Sequence, residues 1–302
     1  MTINTGDINR ELRPGLNAVF GNYEMYPAKW KDYFKTRPSH MNFERLVENK
    51  YLSIAKYQPE GTPVSVDTMG ERIVTEFHHK TFSNSFNITF EAYRDNLYKS
   101  MFPQAALSLR QSLEQAEEVG GASVFNNGFS PNFPLGDGQP LFSTQHPIDG
   151  GVYANTPPVR MDLSEAAVEQ AVTAIQLFEN QAGLLVRINA KFLAVSAQGQ
   201  WTGQRLIGSQ YRTGTANNDI SALYSLQSLP EGIKINPFFT IPSFWAVITD
   251  APESFIKFNR DPMQQEVQTD FSTRNIQFQA YHRYSYGCAN PRGAYGSQGL
   301  GV

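Results

Sequence analysis

The run DNLYKSMFPQAALSLRQSLEQAEEVGGASVFNNG at residues 95–128 decides how this chain is read. Leu97, Met101, Ala105, Leu109, Leu113, Ala116, Val119 and Val124 recur at steps of three to five, which lays one apolar stripe along one side of a helix. About 25 to 30 helical residues would reach about 40 Å, more than the usual three or four turns of a globular-domain helix. The spacing therefore predicts a spine on which the rest is mounted. Pro103 disfavours helix at Phe102, so a kink or a separate first turn is expected there, and Gly120-Gly121 marks a second weak point. Arg110, Gln111, Glu114, Glu117 and Glu118 lie off the stripe and read as a solvated face. Asn126-Asn127-Gly128 tolerates left-handed backbone and ends the helix.

Before the spine, residues 1 to about 50 read as an irregular arm with short helices, punctuated by Pro14-Gly15, Gly21-Asn22, Pro27 and Pro38. Its aromatics, Phe20, Tyr23, Tyr26, Trp30, Tyr33, Phe34 and Phe43, are too many for a free tail and need a surface, which another subunit can supply. Lys29, Lys31, Lys35 and Arg37 form a mild basic cluster interrupted by Asp32, better read as a solvated face than as a phosphate site. From Lys56 to Asn96 the pattern changes to strands. Val64, Val66, Ile73, Thr75, Phe77, Phe82, Phe86, Ile88 and Phe90 fall in partly alternating runs, giving a long hairpin-like excursion with its tip at Asp67–Gly70. A two-stranded arm is marginal alone, so it makes physical sense lying on something else.

After the spine comes a long loop, residues 131–158, dense in Gly, Pro, Asn and Asp; loops of that length are usually functional. Asp162-Leu-Ser-Glu165 has capping-box spacing and opens a helix with inner face Leu163, Ala167, Ala171, Ile175 and Phe178, closed by Gly183. Phe192–Val195, Ile233–Ile235 and Phe244–Ile248 read as buried strands and Trp201–Ile207 as a short helix, a small mixed unit. Strands return from Gln265, at Phe271–Ala280, followed by a Gly-rich tail from Tyr286.

At 302 residues the chain can bury a sizeable core in one large domain or two ordinary ones, and 13% aromatic against 18% charged residues excludes a disordered chain. A net charge of −3 argues against a dedicated nucleic-acid binder. The single Cys288 excludes an intrachain disulfide framework and fits a reducing cytosol. No signal peptide or membrane-spanning run is expected. Chemistry-bearing motifs are scarce. His78-His79 would point to opposite faces of a strand, there is no His-Glu-x-x-His, and Gly203 to Ser209 lacks the lysine of a phosphate loop. His146, before Pro147, suits a structural hydrogen bond better than general-base duty, and Cys288 a structural role better than a nucleophilic one. Catalytic, cofactor and metal residues are therefore assigned to none.

Taken in order, the segments resemble the major capsid proteins of tailed bacteriophages, most closely the Mu-like major head subunit group. The resemblance rests on Leu12-Arg-Pro-Gly15, Glu60-Gly61, Phe86-Asn-Ile-Thr-Phe90, Ser123-Val-Phe-Asn-Asn-Gly-Phe129, Asn217-Asn-Asp219 and Asn290-Pro-Arg-Gly-Ala-Tyr295. Its most specific piece is Asp137-Gly-Gln-Pro-Leu-Phe-Ser-Thr-Gln-His-Pro147; a departure is Ala197-Gln198, where a proline is expected. The resemblance implies an α+β fold of the Hong Kong 97-like type. Its parts would be an N-terminal arm (1–55), an extended loop (56–94), a peripheral domain with the spine (95–184), an axial domain (185–265) and a return to the peripheral domain (266–302). It implies a non-enzymatic subunit that self-assembles through hexamers and pentamers into the icosahedral shell around phage double-stranded DNA, in the virion, after assembly in the host bacterial cytoplasm. Trp30, Phe34, Asp67, Met69, Glu71 and Arg72 are the expected inter-subunit contacts. Scaffolding, portal and decoration proteins are the expected further partners, with only non-specific DNA contact and no membrane. Met1 running straight into the arm suggests no fused scaffolding segment. The competing expectation is a two-domain hydrolytic or carbohydrate-active enzyme with an active loop at 131–158 around Asp137 and His146. A nanocompartment shell of the same fold would differ in holding cargo enzyme.

Overall fold

A computed structural model describes residues 27–95, 102–211 and 219–300. They open with a 3-10 turn, Lys29–Asp32, and strand β1 (Lys35–Pro38). Strands β2 (Phe43–Lys50) and β3 (Gly70–His78) pair antiparallel, and residues 51–69 run between them outside any strand. β4 (Lys80–Ile88) leads through a short helix α1 (Phe90–Arg94), capped by the Thr89 side chain, towards the spine α2 (Phe102–Asn126). Next come a two-stranded ribbon, β5 (His146–Ile148) and β6 (Gly151–Tyr153), and helix α3 (Glu165–Gln176). β7 (Ala190–Ser196), α4 (Gln200–Gly208), α5 (Ala222–Ser225), β8 (Ile233–Asn236) and β9 (Trp245–Thr249) follow. β10 (Phe255–Thr269), β11 (Ile276–Cys288) and β12 (Ala294–Ser297) complete the chain.

Two four-stranded sheets organise these elements, in the orders β1-β10-β11-β4 and β12-β9-β7-β8. The second has its central strands covered on both faces, which is why Phe192–Val195 and Trp245–Ile248 are continuous apolar runs. α3 packs Ala171 and Ile175 against Leu193, Val195, Trp245 and Val247 on one face. On the other, Phe192, Ala194, Ala246 and Ile248 meet Phe125 of the spine and the arm's Tyr33 and Phe34. The first sheet receives the rest of α2, with Leu109 and Leu113 over Ala280, and Phe102 and Ala106 over Phe278.

α2 is unbroken over 25 residues. Pro103 sits in its first turn, where a missing N–H costs no intrahelical bond. Gly120-Gly121 is no weak point but a place of close approach: a Cβ at Gly121 would lie 3.0 Å from Trp30 Cβ, and one at Gly120 3.2 Å from the Tyr286 ring. The buried stripe is Phe102, Ala106, Leu109, Leu113, Glu117, Gly121 and Phe125, so Val119 faces out and Glu117, expected in solvent, faces in. Leu97 and Met101 of the expected stripe lie outside the described residues, as do the arm before residue 27 and Asn217-Asn218.

Three further expectations are corrected. α3 is capped not by Asp162 but by Ser164, whose Oγ accepts from the Ala167 N–H at 3.3 Å; Asp162 instead accepts from the Leu300 N–H at 2.7 Å. The hairpin is formed by β2 and β3, not by two strands within 56–94, because β4 pairs with β11. Residues 270–275, expected as strand, form the turn between β10 and β11.

Candidate functional site

The loop that an active-site reading would use does bring Asp137 and His146 together, at 2.6 Å between Oδ2 and Nδ1. The pair is sealed and saturated. Asn155 donates through Nδ2 to the carbonyls of Leu141 (2.7 Å) and Pro291 (3.0 Å), which turns its Oδ1 towards His146 Nε2, 3.2 Å away. Both imidazole nitrogens are therefore occupied by side chains of the same chain. His146 is wholly buried and stacked on Tyr153, with ring centroids 5.0 Å apart. The arrangement pins the loop to β6 and to the Pro291 turn; its role is architectural.

The feature that leaves the body is the stretch between β2 and β3. Every residue from 51 to 69 is exposed, including Ile54 (71%), Tyr57 (92%), Val64 (70%) and Val66 (91%). Local polar bonds give it shape: the Ser53 N–H donates to Asp67 at 2.8 Å and Thr62 Oγ1 to the Pro59 carbonyl at 2.7 Å. The Ser53 bonds, with the Thr68 N–H, hold the Asp67 carboxyl down at about 2.

Its root is clamped twice. Lys50 on β2, at 2.9 Å, and Arg72 on β3 both pair with Asp149 in the β5–β6 turn, and these cations keep the Asp149 carboxyl below its ordinary range. Glu48 on β2 takes the buried Arg292 at 2.9 Å on one oxygen and Gln181 at 3.0 Å on the other. Arg292 also donates through Nε to the Glu179 carbonyl at 2.7 Å, and its guanidinium lies 4.6 Å from the Tyr153 ring centre. Truncating one partner of such a buried pair leaves an uncompensated charge, so the root is held more firmly than the tip.

A second ionic cluster fixes the spine. Glu117 meets Lys257 of β10 at 3.0 Å and, on its other oxygen, His282 of β11. Lys257 lies 3.7 Å from the Trp30 ring centre, so arm, spine and sheet converge on one buried ammonium. Burial pulls Lys257 below its ordinary range against the pull of Glu117. The adjacent Glu118 caps the first turn of the arm, accepting from the N–H groups of Lys29 (2.7 Å) and Trp30 (3.2 Å).

Of the expected contact residues, Trp30 and Phe34 are buried in their own chain, 7% and 5% exposed, because α2, β10 and β11 supply the surface their rings need. Residues 67–70, expected as the tip, lie instead beside the root, where Gly70 pairs with Lys50 and Asp67 bonds Ser53; Asp67, Met69 and Glu71 are exposed there, and Arg72 is paired with Asp149. Glu48, Asp149 and Arg292 carry the root and were not singled out from the sequence.

No family model and no curated protein matches this chain. Solved structures do. A virus-like particle from Pyrococcus furiosus is 10% identical, with a TM-score of 0.53 over 96% of this chain and 99% of that one. The capsid of a native GTA particle is 13% identical, TM-score 0.58, over 92% and 96%. Mycobacterium phage Che8 gives 11% identity and TM-score 0.55 over 91% and 93%. At such identities the likeness is one of fold: this chain has the tailed-phage major capsid fold, matched over more than nine-tenths of each chain.

Proposed function

We propose that this chain is the repeating subunit of an icosahedral shell that encloses phage double-stranded DNA, acting by self-assembly and not by catalysis. The observation that carries this is the excursion at 51–69, wholly exposed, apolar in part and clamped only at its root. A ribbon with no core of its own gains stability by lying on a neighbouring copy, and many modest contacts of this kind sum to a durable cage. The fold is that of proteins described as the capsid of a native GTA particle computed with C5 symmetry and the procapsid of bacteriophage JBD30, which supports assembly of many copies into a shell; its pentamers and hexamers belong to the proposal. The division into arm, extended loop, peripheral domain around α2 and axial domain around β7–β9 belongs to the same proposal, with β2 and β3 as the stem of the loop. So do scaffolding, portal and decoration partners, assembly in a bacterial cytoplasm, and kinship with Mu-like head subunits through the Asp137–Pro147 motif. A net charge of −3 suits a lining that holds packaged DNA loosely.

Electron microscopy of the purified protein tests the reading. Closed particles tens of nanometres across are expected; a monodisperse monomer under assembly conditions would refute it.

A further inference from the structure

Two stretches of chain cross between the β2–β3 hairpin and the first sheet: residues 39–42, from β1 into β2, and His79, the single residue between β3 and β4. The His79 imidazole ties both crossings to that sheet. Its Nε2 lies 2.9 Å from Ser39 Oγ and its Nδ1 3.0 Å from Ser285 Oγ on β11. Both serines are buried and the ring is half-buried, its centre 6.4 Å from that of Phe258.

The serines decide where the imidazole proton sits. Ser39 Oγ donates to Glu44 Oε1 at 2.6 Å and accepts from the Met41 N–H at 3.3 Å. With its one proton given to Glu44, Ser39 can only accept from the ring, so Nε2 carries the hydrogen and Nδ1 is the bare nitrogen that takes the Ser285 hydroxyl proton. The relay runs one way, from Ser285 through His79 and Ser39 to the Glu44 carboxylate. A second ring proton would go to Nδ1 and force the buried Ser285 hydroxyl to turn round. The charged groups around the ring are Glu44 on β2, Arg283 on β11, and Arg260 and Asp261 on β10, two of each sign. Burial first, and then Arg283, pull the imidazole below its ordinary 6.5.

We propose that His79 is an acid-sensitive pin: neutral, it locks both crossings of the hairpin to β11, and protonated, it lets the base of the hairpin loosen while the far end stays clamped by Asp149 and Glu48. This is a property of the single subunit and does not depend on the shell reading. Because the folded chain resists the second ring proton, the pin's contribution is complete above 6.5 and is lost as pH falls through the folded value.

Imidazole nitrogen NMR of the dissociated subunit from about pH 5 to 8, with amide hydrogen exchange corrected for its intrinsic pH dependence, tests it. His79 should be protonated at Nε2 at the alkaline end and titrate below 6.5. Exchange of amides 43–46 and 75–78 should speed about threefold or more towards the acid end while that of β7 and β9 does not. His79→Gln, which keeps one donor and one acceptor, should remove this acceleration, and His78→Gln, at the exposed neighbour, should leave it. A hydrogen on Nδ1 at the alkaline end, titration at or above 6.5, no acceleration in the wild type, or acceleration that survives His79→Gln would overturn the pin. The first three are read on the wild-type chain and hold whether or not a variant folds.

Discussion

Glu117 is a residue whose charge is decided by neighbours far away in sequence: Lys257 is 140 positions distant. Helical periodicity correctly located the spine but placed Glu117 on the solvated face, since a carboxylate on a helix normally turns outward. Nothing local announces the lysine and histidine that receive it. Glu117→Ala should leave Lys257 buried and unpaired and cost about 3–5 kcal/mol in thermal or denaturant unfolding, whereas Glu117→Leu combined with Lys257→Met should recover most of that loss. Burial alone would raise the Glu117 carboxyl, but His282 and Lys257 together hold it below its ordinary 4.5. Its contribution to stability is then complete above about pH 4.5 and is lost as pH falls through the folded value, because the unfolded chain takes up the proton first. Glu118 works in the opposite sense. Burial raises it despite its backbone bonds, so its contribution is present at low pH and fades as pH rises through the folded value. Unfolding measured from pH 3 to 7 on wild type and Glu117→Gln should show the acid-side loss in the former and a shallower one in the latter.

Among the elements, helices and fully buried strands were the legible ones. α4, β7 and β9 lie where period and apolar runs put them, because packing and hydropathy agree there; α3 begins where expected but ends at Gln176, short of Gly183, so Phe178 packs from the segment after the helix. β2 was hidden for the opposite reason. Its half-buried face carries Glu44, Leu46, Glu48 and Lys50 while Phe43 and Val47 look outward, an inversion made tolerable by ion pairs that the sequence does not display. The Asp137–His146 loop was legible as special but not as closed, since Asn155, which seals it, has no motif. That loop also leans on β3: a Cβ at Gly136 would lie 2.5 Å from the Val74 carbonyl oxygen and from Thr75 Oγ1. Backbone cannot give way as a side-chain tip can, so Gly136→Ala should destabilise by about 1–3 kcal/mol, read as a lowered urea midpoint.

For the whole molecule, the arrangement is one of firm roots and free tips. Trp30, Tyr33 and Phe34 of the arm, expected to need another subunit, are buried in their own chain, which puts more of the need for neighbours on residues 51–69. Replacing residues 54–66 by a short Gly-Ser link should therefore leave subunit melting nearly unchanged and abolish closed particles, as judged by electron microscopy; unaltered assembly would show the ribbon dispensable. Amide hydrogen exchange across residues 51–69, compared between dissociated subunits and assembled particles, bears on the mechanism at its centre. Fast exchange in the free subunit and strong protection in the particle is the expected result. Protection already present in the free subunit, or none gained on assembly, would contradict it.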